Sequence, residues 1–211
     1  MQISNLSGVV LLAVAAFHAQ ASVIFSIGNN PQADEPVLFH DSCAGCVDGP
    51  ALLVIGHLQT SDYLVDLTSD SFLSAVGPGH NTVSSDSGFD QLGITVPGHS
   101  YTSIVLQLTS LSTVPDGTVT FTAHTLADGD FNSSALFDDH TGGNYFTITT
   151  DMGSRMTGLD LTTTQLQHDV SQVRIGEAGL VTPEPGSLIL LGSALIAAGF
   201  ICAKRRTLPG R

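Results

Sequence analysis

Asp128, Asp130 and Asn132 alternate in the run ADGDFNSSALFDD, and Asp139 falls at the twelfth position counted from Asp128. Hard oxygen ligands at this spacing match the opening of a calcium-binding loop. Two features oppose that reading. The sixth position is Ser133 where such a loop needs Gly, and the twelfth carries Asp in place of the longer, bidentate Glu. The expectation is an acidic hairpin turn and no cofactor, with calcium at Asp128, Asp130, Asn132 and Asp139 as the alternative.

Cys43 and Cys46 form C-A-G-C. In an oxidising compartment such a pair is a local disulfide. A redox site would place it at the start of a helix, but the flanks FHDS and VDGP read as loop. Zinc would need a second ligand pair, and the third cysteine, Cys202, lies in an apolar tail. Free thiols and a redox or metal role remain the alternatives.

Other familiar chemistry fails on spacing. GHSYTS (98–103) approaches a nucleophile elbow but has Thr102 where G-x-S-x-G needs its second Gly. The eight histidines include no H-E-x-x-H and no helical i, i+4 pair. Carboxylates are plentiful, yet whether two face each other as a glycosidase requires is not a sequence property. Trp is absent and Tyr occurs only at 63, 101 and 145, a thin supply of platforms for sugar rings. Arg174, in QVRIG, is one of two cations within residues 22–181 and reads as a fold element, with Gln172 on its face of the strand and Val173 and Ile175 on the other.

The elements that would position these residues are short β-favouring runs separated by turn chemistry. SVIFSI (22–27), PVLFH (36–40), ALLVIGHL (51–58), DYLVDLTS (62–69), NTVSSD (81–86) and QLGITV (91–96) come first. YTSIVLQLTSL (101–111), GTVTFTAHTL (117–126), NYFTITTD (144–151), MTGLDLTT (156–163) and DVSQVRIG (169–176) follow. In TVTFTAHTL, Val119, Phe121, Ala123 and Thr125 share one face, with Thr118, Thr120, Thr122 and His124 on the other. That is the pattern of a strand buried on one side. GPG, PG, PDG, DGD and GG supply the turns. SSDSG (84–88) and DDHTGG (138–143) read as exposed loops. The expectation from the residues is all-β: an antiparallel sandwich or barrel over residues 22–181, flanked by an N-terminal signal helix and a single C-terminal transmembrane helix.

Charge is distributed unevenly along the 211 residues. All 19 acidic residues except Glu184 fall within 22–181, whereas only Arg155 and Arg174 of the six Lys and Arg do. Nucleic acid is excluded as a partner, because phosphate neutralisation needs clustered cations. At the N-terminus the apolar run 9–17 is followed by HAQAS. Ala19 and Ala21 give the small-x-small pattern of signal peptidase, so residues 1–21 read as a signal peptide cleaved after Ala21. Near the C-terminus, Pro183-Glu184-Pro185 precedes an uncharged stretch, about 187–203, and then Lys204, Arg205 and Arg206. As a helix the stretch is a marginal membrane span, and the cations would halt translocation at the inner face.

The order of these three tail elements resembles the PEP-CTERM sorting signal of exported bacterial proteins, here residues 182–206. Within the body, DGTVTFTAHTLADGD, GGNYFTITTDMGSRMTGLDLTT and DVSQVRIGE resemble strands that recur among such proteins. That likeness implies an all-β, antiparallel, jelly-roll-like β-sandwich and, for Arg174 in Q-x-R-I-G, a structural role such as pairing with the carboxylate of Asp169 or Asp160. The resemblance implies recognition of the tail by an exosortase-type processing enzyme and an envelope of the kind found in exopolysaccharide-making Gram-negative bacteria. TLPGR after the cations departs from the pattern. The resulting expectation is an exported, non-enzymatic envelope or extracellular-matrix protein. The C-terminal helix would hold it transiently in the inner membrane, and exopolysaccharide would be its partner. The alternatives are a glycan-active hydrolase and a calcium-dependent adhesion or carbohydrate-binding module on the same scaffold.

Overall fold

The computed structural model describes residues 23–29, 35–39, 43–76, 81–111, 117–126, 129–137, 144–151 and 154–181. The signal segment, the sorting motif with its apolar stretch and cations, and Asp128 and Asp139 lie outside the described residues. None of the described residues is helical, and the chain is all-β.

Among the described residues twelve strands occur in order: β1 (Val23–Ile27), β2 (Glu35–Leu38), β3 (Ala51–Leu58), β4 (Leu64–Ala75), β5 (Thr82–Thr95), β6 (His99–Ser100), β7 (Ser103–Ser110), β8 (Gly117–Thr125), β9 (Gly129–Phe137), β10 (Asn144–Thr150), β11 (Met156–Gly176) and β12 (Gly179–Leu180). Every pairing is antiparallel. Ten strands form one continuous sheet, and β6 and β12 form a small second one.

The large sheet folds over on itself because three long strands bend. The first half of β11 pairs with β8 and with the C-terminal part of β5, whereas its second half pairs with β7 and the N-terminal part of β5. The register breaks between Thr162 and Asp169 in β11, and between Ser69 and Ser74 in β4. One face therefore runs β9-β8-β11-β5-β4-β3, and the other begins β1-β10-β7-β11. Aromatic rings meet across the fold: Phe121 of β8 lies 5.0 Å from Phe146 of β10 and 6.3 Å from Phe25 of β1, ring centre to ring centre. Around them pack Leu67, Phe89, Ile94, Tyr101, Ile104, Leu106, Leu159, Leu161, Val173 and Ile175.

Alternation in β8 is as the sequence predicts, with Val119, Phe121 and Ala123 buried. Val173 and Ile175 are buried on either side of a partly exposed Arg174. Two expectations change. SSDSG is not a loop: it lies inside β5, with Ser84, Ser85 and Gly88 buried. Gly88 has φ +76°, and a Cβ there would stand 2.8 Å from Leu166 Cβ. The polar, glycine-containing run is thus the bend of a long strand where it touches the bend of β11. For the same reason the runs 156–163 and 169–176 form one strand. GDFNSSALF, with no expected strand of its own, forms β9, an edge strand held only by β8.

Candidate functional site

The solvent face of β9-β8-β11-β5-β4 is polar and ordered by register. Asn132, Thr122, Asp160, Gly93 and Thr68 are successive cross-strand partners in one row. Asp130, His124, Gly158, Thr95 and Asp66 form the adjacent row. Threonine and serine suit this position, because β-branched carbon packs on the pleat while the hydroxyl stays wet.

Along β8 and β9, three successive facing pairs are hydrogen bonded. His124 Nδ1 lies 2.7 Å from Asp130 Oδ1, Thr122 Oγ1 donates to Asn132 Oδ1 at 2.6 Å, and Thr120 Oγ1 and Ser134 Oγ are 2.9 Å apart. His124 Nε2 also reaches Asp160 Oδ2 on β11, at 2.9 Å. The imidazole thus ties three strands together. Its pKa is raised by the Asp160 hydrogen bond and, behind that, the Asp130 bond and the two carboxylate charges; partial burial opposes them. The protonated ring donates through both nitrogens, which makes it a strut between carboxylates and leaves it no free nitrogen for general-base work.

Two glycines leave room for this arrangement. A Cβ at Gly158 would sit 3.5 Å from the His124 ring, and one at Gly93 would sit 2.9 Å from Asp160 Oδ1 and 2.7 Å from Thr68 Oγ1. Gly93 also lines a polar groove of about 400 Å³ on this face. It is lined by Thr68, Ser69 and Asp70 of β4, Gln91, Leu92 and Gly93 of β5, and Asp160, Leu161 and Thr162 of β11. Asp70 Oδ1 accepts from Ser69 Oγ at 3.2 Å and from the Gln91 backbone N–H at 3.3 Å. Beside it the Asp90 carboxyl is raised, first by desolvation and then by the charge of Asp70 and a hydrogen bond to it.

A second cavity, also about 400 Å³, lies between the edge strands β1 and β9 and is lined by Phe25, Ile27, Phe121, Leu136, Phe146 and Ile148 with several Ser and Thr. It is the open side of the hydrophobic core.

The sequence-nominated residues do not converge. Asp130 and Asn132 are on the exposed face of β9, engaged by His124 and Thr122. Among the described residues no group of three or more His, Cys, Asp or Glu could hold a metal ion. Cys43 and Cys46 lie at disulfide distance, Cα to Cα 5.4 Å, in the loop between β2 and β3. Ser100 is fully buried and its hydroxyl accepts from Arg155 Nε at 2.8 Å, so GHSYTS presents no exposed nucleophile. The two proposed partners of Arg174 face histidines: Asp160 meets His124, and Asp169 Oδ1 lies 2.8 Å from His168 Nδ1.

Gly93 and Gln91 carry no mark in the sequence, where His124 falls on an outer strand face and Asp160 is a candidate partner for Arg174, not for His124. One signal was available: Asp128-Gly129 is turn chemistry in sequence, and His124 faces Asp130 across the β8–β9 pair. Asp160 and Gly93 carried no local signal, because their strands meet only through long-range pairing. The chain matches no known protein family, no curated protein and no solved structure.

Proposed function

We propose that this chain is an exported, non-enzymatic protein of the bacterial envelope or extracellular matrix, associated with exopolysaccharide. In this reading the body is an antiparallel, jelly-roll-like β-sandwich. Signal peptidase releases residues 1–21, and an exosortase-type enzyme recognises Pro183-Glu184-Pro185. The apolar stretch 187–203 and the cluster Lys204, Arg205 and Arg206 hold the chain in the inner membrane until processing.

The observation that carries the glycan association is the polar groove: hydroxyls, an amide and oriented carboxylates on one sheet face. Groups of this kind exchange hydrogen bonds with polyhydroxylated ligands. The non-enzymatic reading draws support from His124, whose two nitrogens are both committed to carboxylates.

Fractionation of cells tests the sorting route. Replacing Pro183-Glu184-Pro185 by alanines should leave full-length protein in the inner membrane, whereas unchanged export and trimming would refute the route. Retention of the secreted protein on its native exopolysaccharide tests the association.

One observation favours a glycan hydrolase instead: Asp70 and Asp160 line the same groove, and the Asp90 carboxyl beside Asp70 is raised. Release of new reducing ends from the bound polysaccharide, lost in Asp160→Asn, would establish that reading.

A further inference from the structure

The groove over Gly93 has features that select among glycans, and the selection rests on the glycan-binding reading just given. Its carboxylates are not bare charges awaiting a cation. Asp160 Oδ2 is held by a His124 ring whose protonated form is favoured, and Asp70 Oδ1 already accepts a hydroxyl and a backbone N–H. What each presents to the groove is an oriented acceptor. Asp160 Oδ1 and Thr68 Oγ1 close in over Gly93 from either side, within 2.9 and 2.7 Å of where a Cβ would stand. The Thr68 hydroxyl makes only a 3.5 Å contact with the Gly93 carbonyl, so it can redirect toward a ligand at little cost. Gln91, exposed at the rim, adds an amide that can donate as well as accept.

Among the described residues, no Lys or Arg lines this groove. Arg155, one of the two cations of the body, is spent on Ser100 and the Glu177 carbonyl in the β6–β12 sheet. A glycan bearing uronate or other acid groups would bring negative charge against Asp70, Asp90 and Asp160 with nothing to compensate it, a juxtaposition that costs binding energy. A chain of neutral sugars supplies hydroxyl donors to the carboxylates without that repulsion.

We infer that the Gly93 groove binds a neutral glycan chain, free of acidic sugars, through Asp160, Thr68, Asp70 and Gln91. Gly93 is a positioning residue in this arrangement, because a Cβ there would stand 2.7 Å from Thr68 Oγ1 and 2.9 Å from Asp160 Oδ1 and would push both groups aside.

Calorimetric titration of the detergent-solubilised full chain tests this with a panel of neutral oligosaccharides, gluco-, manno- and galacto-configured, beside uronate oligosaccharides of equal length. At least one neutral member should bind and the uronates should not. Gly93→Val should weaken binding by about tenfold or more. Gln91→Ala, an exposed change with no claim on folding, should weaken it in the same direction; thermal unfolding verifies both variants. Binding of uronates in preference to neutral chains would overturn this inference and leave the glycan-binding reading standing. Neutral binding that neither variant alters would remove the site from this groove. Failure of every oligosaccharide, neutral and acidic, would overturn the glycan-binding reading and this inference with it.

Discussion

His124 and Asp160 are 36 positions apart in the chain, yet their side chains meet at 2.9 Å across the β8–β11 boundary. Asp130 closes the same ring from the other side, at 2.7 Å. Edge strand β9 is thereby linked through one imidazole to the strand that runs through both halves of the fold. The pKa of His124 is raised in the folded state. A raised basic group stabilises the fold fully below its unfolded value, about 6.5, and that contribution is lost as pH rises through the folded value. Thermal unfolding followed from pH 6 upward should therefore show a decline that His124→Gln abolishes. By NMR, the titration of His124 in Asp160→Asn should move to lower pH. An unshifted titration would mean that the contact does not govern the ring.

Tyr101 is fully buried, and its phenol is raised well above the ordinary value, first by desolvation and then by the negative charge of Asp160. Its hydroxyl donates to the Ile94 carbonyl at 3.4 Å. A raised acid of this kind is stabilising below the unfolded phenol value, about 10, and that contribution is lost as pH climbs above it. Spectrophotometric titration should find one tyrosine that ionises only as the protein unfolds, and Tyr101→Phe should delete that late step. Three tyrosines ionising together in folded protein would contradict the buried environment.

Gly56, in β3, lies under β2 and the residue that follows it. A Cβ there would stand 2.6 Å from both the Leu38 carbonyl oxygen and the Phe39 ring. Backbone cannot yield as a flexible side chain can, and overpacking of this kind costs about 1–3 kcal/mol. Denaturant unfolding of Gly56→Ala should show a loss in that range. Gly98→Ala meets no atom within 4 Å, although its φ of +73° still carries backbone strain. It should cost less, so equal losses would argue against the crowding at Gly56.

Arg155 donates to Ser100 Oγ at 2.8 Å and to the Ser100 carbonyl at 2.7 Å, and it also bonds the Glu177 carbonyl. It clamps β6 to the turn before β12. A charged hydrogen bond contributes about 1.5–3 kcal/mol. Arg155→Ala should destabilise by at least that much and raise amide exchange at Ser100 and Gly179, read by hydrogen-exchange mass spectrometry. Unchanged protection there would mean that the strand pairing holds without the guanidinium.

Cys43 and Cys46 close a short loop, so the chain-entropy contribution is modest, about 2 kcal/mol. Mass mapping of non-reduced protein should find the peptide spanning them two hydrogens lighter than its reduced form. Free thiols at both positions would exclude the bond.

The legible part of this protein is what repeats every two residues. Val119, Phe121 and Ala123 declare the buried face of β8 by alternation alone, as Val173 and Ile175 do for β11. That period, the turn residues and the absence of a helical pattern were sufficient for an all-β chain. Bends were not legible. Serine, aspartate and glycine at 84–88 have turn composition, and only the packing of Gly88 on Leu166 makes them the corner of a continuous strand. The pairing of β11 with β8, β5 and β7 is likewise a tertiary fact, since pleat and hydropathy mark a strand's faces but not its neighbours.

The same division governs the site. The sequence by itself determined a polar outer face: threonines alternate with core residues, and Lys is absent from residues 22–181. It also determined the candidate ends, through short-range patterns of charge and hydropathy. Only the tertiary structure decided that Asp160 meets His124, that Asp130 is a strand residue facing it, and that Thr68 and Asp160 close over Gly93. Each of those contacts joins positions far apart in the chain, and their geometry depends on strand register set by burial of the opposite face. Local propensity carries no information about which distant side chain a register will deliver.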